Sequence, residues 1–102
     1  MTTVRGGRSS LRPEDHFGRA VRDRRRAAGM TQSRLAELAG MSQAAISRLE
    51  HGKCMPTFYL LEKIAGALNS VLVVAIGPGR RISVEFRNAE FRTGPERAGA
   101  AG

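Results

Sequence analysis

Apolar residues recur at helical spacing through most of the chain and then switch to a period of two. In the first segment Phe17, Ala20, Val21, Arg24 and Ala28 share one face. Pro13, Glu14 and Asp15 give it a favourable first turn, with proline at the start and acids at the positive end of the helix dipole. Gly29 closes it. A second helix is predicted from Thr31, as N-cap, to Ala39, with Gly40 as the stop. A third follows Ser42, another N-cap, and ends at Gly52. A fourth follows Pro56 and Thr57, carries Leu61, Ile64, Ala65 and Leu68 as its stripe, and stops at Asn69. Ser70 to Ile76 is then rich in Val and Ile, and Ile82, Val84 and Phe86 alternate with Arg81, Ser83, Glu85 and Arg87. With Gly77-Pro78-Gly79-Arg80 between them, these runs predict a β-hairpin whose second strand has one polar face.

The fold class is therefore mainly α, a helical bundle followed by a C-terminal hairpin. The first strand is apolar on both faces, and a two-stranded hairpin alone is marginal in water. A homodimer in which two hairpins pair or pack would supply the missing cover. Residues 1–12 read as a flexible basic arm, 13–69 as the helical domain, 70–92 as the hairpin and 93–102 as a disordered tail.

Composition narrows the function. The 102 residues fit one domain with one core. With 17 Lys+Arg against 9 Asp+Glu, the net charge of +8 points to a polyanion as partner. Residues 1–30 carry +5 of it, 31–70 only +1 and 71–102 +2. No apolar run is long enough to span a membrane, and the basic N-terminus lacks the apolar region of a secretory signal. A single cysteine, Cys54, fits a reducing cytoplasm.

The informative stretch runs from Gln32 to Glu50. Two short helices are joined by Gly40-Met41-Ser42; Ala36 is small where they cross, and Leu35, Ile46 and Leu49 fix the crossing. That is the physical pattern of a helix-turn-helix. On the third helix Ala45, Ile46 and Leu49 face the bundle, which turns Gln43, Ala44, Ser47 and Arg48 outward with Ser42 at the helix mouth. Gln43 can pair bidentately with adenine; Arg48 can do so with guanine or clamp a phosphate. Ala44 can touch a thymine methyl, and Ser42 and Ser47 suit phosphates or bridging waters.

The phrases Met30-Thr-Gln-Ser-Arg-Leu-Ala, Gly40-Met-Ser-Gln-Ala-Ala-Ile-Ser-Arg-Leu-Glu50, His51-Gly-Lys-Cys-Met-Pro56 and Leu61-Glu-Lys-Ile-Ala-Gly-Ala-Leu68 resemble the lambda-repressor-like helix-turn-helix family, the Cro/cI or XRE type. The resemblance covers residues 14–69 and implies a four- to five-helix DNA-binding bundle whose third helix enters the major groove. It implies that Gln32 contacts a phosphate and braces Gln43, that Lys53 contacts a phosphate, and that Arg25 and Glu50 form a partly buried structural salt bridge. This chain departs from the family after the fourth helix, where strands replace further helix.

The resulting expectation is a cytoplasmic, sequence-specific transcriptional regulator, a repressor binding double-stranded DNA at a palindromic operator as a homodimer. Two alternatives stay open. One is an antitoxin that binds a toxin through residues 70–102 and autoregulates its operon. The other is a protein-bridging module that does not touch DNA. Arg22 to Arg26 form a basic cluster that suits either the DNA backbone or a solvated face. His51 and Cys54 have a metal-like spacing, but only His16 remains as a further soft ligand, so no metal is expected. Neither a catalytic triad context nor a phosphate-binding loop is present, so neither enzymatic activity nor a cofactor is expected.

Overall fold

The computed structural model describes residues 11–79 and 81–89. Most of the N-terminal arm and the whole C-terminal tail lie outside the described residues. Among the described residues four helices are followed by one hairpin: α1 (Pro13–Ala27), α2 (Gln32–Ala39), α3 (Gln43–Glu50), α4 (Phe58–Ala67), β1 (Ser70–Gly77) and β2 (Arg81–Asn88). The mainly helical bundle with a C-terminal hairpin is the architecture the periodicity predicts.

Local chemistry sets the helix ends. Thr31, Ser42 and Thr57 each take an extended backbone, and their hydroxyls accept from Arg34, Ala45 and Leu60 N–H at 3.0–3.1 Å. At α1 the cap is different. Arg12 lies at the N-cap, and its own N–H donates to Asp15 Oδ2 at 2.9 Å. Gly40 ends α2 at φ +71, and Met41 N–H then reaches back to Ala36 O at 2.8 Å. That left-handed step, which a Cβ disfavours, makes a three-residue turn to α3 possible.

The core gathers where the helices cross. Val21, Leu35, Ile46, Leu49 and Ile64 are fully buried, and Ala36, Ala39 and Leu68 complete the cluster. Ala28 was expected on the apolar face of the first helix. It falls one residue past the end of α1 and is exposed. Gly18 matters more than the periodicity suggests. A Cβ there would lie 2.5 Å from the Leu49 carbonyl oxygen and 2.9 Å from that of Glu50. So α1 and α3 meet backbone to backbone.

The hairpin is antiparallel, with Ser70 opposite Asn88 and Gly77 opposite Arg81. That register puts Leu72 and Phe86, Val74 and Val84, and Ile76 and Ile82 on one face as apolar pairs. Phe86 packs against the helical core. One side chain ties the sheet down: Arg24 donates from Nε to Ser70 Oγ (2.9 Å) and from Nη2 to Asn88 Oδ1 (3.0 Å). Ser70 Oγ in turn donates to Leu68 O at 2.8 Å. The first and last residues of the sheet are thus joined to α1.

The contrast between two helical glycines tests the close approach. Gly18→Ala is expected to lower the free energy of unfolding by about 1–3 kcal/mol through overpacking against α3. Gly66→Ala, in α4 with nothing within 4 Å of the added carbon, is expected to raise it by about 0.4–1 kcal/mol. Urea titration of both variants measures the difference.

Candidate nucleic-acid interface

The outward face of α3 is set from inside the bundle. The Glu50 side chain is 1% exposed and faces Arg25, whose Nε and Nη2 donate to Oε2 (2.6 Å) and Oε1 (3.0 Å). This is a two-pronged guanidinium–carboxylate pair, the strongest common ion-pair geometry. Arg25 Nη1 also donates to Met30 O at 2.7 Å, which holds the α1–α2 turn. Gln32 Nε2 adds a further donor to Glu50 Oε1 at 3.0 Å. Side chains from α1, α2 and α3 therefore converge on one carboxylate.

The protonation equilibria follow from that arrangement. Burial pushes the Glu50 carboxyl up, but the hydrogen bonds from Arg25 and Gln32 and the charges of Arg25 and Arg22 outweigh it. The net result is a carboxyl held below the usual carboxylate range. Arg25 is pushed higher still by its hydrogen bonds to Glu50, against the opposing effect of burial.

Gln32 departs from one part of what the resemblance implies, the brace on Gln43. It does not brace Gln43, because its amide is drawn inward to the buried carboxylate. The brace comes from Ser33, whose hydroxyl donates to Gln43 Oε1 at 3.0 Å. Sequence reading passed over Ser33.

The remaining expected contact residues lie on one side. Ser42, Gln43, Ala44 and Arg48 are exposed and Ser47 is half-buried. The Ser42 hydroxyl caps α3 through Ala45 N–H and keeps its own proton free to donate. Among the described residues Arg48 forms no ion pair, so its guanidinium is available to a ligand. Lys53 is exposed just beyond α3, where its N–H closes the helix on Arg48 O at 2.9 Å. The ring Nδ1 of His51 lies 2.8 Å from Ser47 O, and Cys54 packs against the core. Among the described residues no group of three or more His, Cys, Asp or Glu is placed to hold a metal ion. In the same residues no helix is long and apolar enough to cross a membrane.

The basic cluster divides by role. Arg24 is committed to the hairpin and Arg25 to Glu50, which leaves Arg22 and Arg26 as cations without those duties. Arg22 Nε is buried without a hydrogen-bond partner among the described residues, and it sits 3.9 Å from Asp23 Oδ1.

The sequence profile of the helix-turn-helix family HTH_3 matches residues 21–72. Among solved structures, the restriction-modification controller protein C.AhdI from Aeromonas hydrophila is similar at 31% identity and a TM-score of 0.53, over 54% of this chain and 80% of that one. The clp gene regulator ClgR from C. glutamicum is similar at 30% identity and a TM-score of 0.56, over 58% and 77%. An HTH_3 family transcriptional regulator from Vibrio cholerae is similar at 28% identity and a TM-score of 0.54, over 55% of this chain and 32% of its own. No curated protein matches the sequence.

The Glu50 cluster makes two expectations. Glu50→Ala leaves Arg25 unpaired and should cost about 3–5 kcal/mol of stability. Because the folded carboxyl titrates below the unfolded one, its stabilisation is complete above the unfolded pKa. It fades as the pH falls through the lower, folded value. Acid unfolding of the wild type should therefore show a component below the usual carboxylate range that Glu50→Gln removes.

Proposed function

The chain belongs to the helix-turn-helix family HTH_3 and is a DNA-binding transcriptional regulator, and from that premise we propose that it is a repressor gripping a palindromic operator as a homodimer. The observation that carries this reading is the outward face of α3, where Gln43, Ala44 and Arg48 are exposed and Ser47 is half-buried, while Ile46 and Leu49 are buried on the other side. Gln43 and Arg48 read base edges, Ala44 meets a thymine methyl, and Ser42, Ser47 and Lys53 hold phosphates. Repression needs no more than occupancy of a promoter by a protein seated in its major groove.

The homodimer is supported by an apolar groove of about 1030 Å³ between α4 and the outer end of the hairpin. Phe58 on one wall is 88% exposed and Ile76 on the other is 77% exposed, with Phe17, Met55, Leu61 and Val74 between them. Soluble monomers rarely leave such a patch in water. A second copy offers the same two surfaces, and self-complementarity is what a two-fold interface requires. Two α3 helices related by such an axis suit half-sites about 34 Å apart.

Two measurements test the proposal. Arg48→Ala should cost about 1–3 kcal/mol on a selected operator and relax one base position. Equal weakening on every sequence would instead make Arg48 a phosphate contact. Sedimentation should give a dimer at micromolar concentration that Ile76→Asp dissociates. A monomeric wild type would remove the homodimer, and co-purification of a small toxin in its place would favour the antitoxin reading, with residues 70–102 as its contact.

A further inference from the structure

We propose that Ser33 is a positioning residue for base recognition, holding the Gln43 amide from the neighbouring helix before DNA arrives. The inference rests on the reading of α3 as the base-contacting helix. Its observation is the 3.0 Å bond from Ser33 Oγ to Gln43 Oε1 across the α2–α3 turn. A carbonyl oxygen cannot donate, so the serine hydroxyl is the donor. That uses one lone pair of the amide oxygen. The second lone pair and both N–H donors remain, which is the donor–acceptor pair that the adenine edge requires.

The surrounding bonds show why the task falls to this residue. Gln32 is held by Glu50, and the Ser42 hydroxyl accepts the N–H of Ala45. Arg34 pairs with Glu37 at 2.8 Å. Thr31 caps α2. Ser33 therefore reaches Gln43 without competition from its neighbours. An exposed glutamine on the first turn of α3 is otherwise free to rotate about its side-chain bonds, and a rotating amide accepts more than one base. Bound DNA covers both residues, and exclusion of water strengthens the serine bond where the choice of base is made.

The test is selection of binding sites from a random duplex library by wild type, Gln43→Ala, Ser33→Ala and Ser33→Thr, with urea unfolding of each. Ser33→Ala should lose base preference at the same position as Gln43→Ala. Preorganisation of a single side chain makes that loss about 3- to 10-fold in discrimination. Binding to non-specific duplex and the unfolding midpoint should not change, and Ser33→Thr, which keeps the hydroxyl, should retain the preference. Wild-type preference in Ser33→Ala would overturn the proposal, and so would equal weakening on all sequences, which would make Ser33 a phosphate contact. If the wild type selects no motif while remaining folded, the base-reading assignment of α3 falls, and this inference with it.

Discussion

The buried Glu50 carboxylate constrains the rest of the bundle. A charge taken out of water is tolerated only where donors surround it. Here they come from α1 through Arg25 and from α2 through Gln32, while the carboxylate belongs to α3. Meeting that demand fixes two helix crossings and the rotation of α3 about its own axis. With Leu49 and Ile46 turned inward beside Glu50, the helical period turns Ala44, Ser47 and Arg48 outward, and Gln43, in line with Glu50 two turns earlier, is exposed at the first turn of α3. The orientation of the outer face thus follows in part from an internal electrostatic requirement.

Much of this architecture can be read from the chain because it depends on local chemistry. Thr31, Ser42 and Thr57 announce helix starts through their hydroxyls, and Gly40 announces the turn through its conformational freedom. The Arg25–Glu50 pair came from resemblance, since spacing alone does not say which arginine in Arg22–Arg26 turns inward. Other features depend on choices that a linear sequence leaves open. Gln32 had several possible acceptors, and the desolvated carboxylate outcompetes an exposed glutamine. Ser33 carries no signal in the sequence pattern, because its partner lies ten positions away across a turn. Arg24 meets Ser70 and Asn88 only after the hairpin folds back on α1. Gly18 did carry a signal. Glycine costs stability inside a helix, so its presence there asks for a close neighbour.

The charge distribution acquires a clearer meaning beside these contacts. The N-terminal 30 residues carry +5, yet Arg24 and Arg25 are engaged in holding the fold. The segment from 31 to 70 is nearly neutral at +1. Under the proposed function, long-range attraction to a polyanion and selection among sequences are carried by different parts of the molecule. The first weakens with salt, whereas the second depends on the geometry of a few side chains.

The contact at Gly18 bears on how such a protein diversifies. Because the main chain of α1 rests on the carbonyls of Leu49 and Glu50, the depth at which α3 is seated does not depend on side-chain volume at that crossing. The solvent-facing residues of α3 take no part in that backbone contact. Under the proposed function, a change of target sequence therefore needs changes only on that solvent-facing side, while the backbone contact beneath it stays in place.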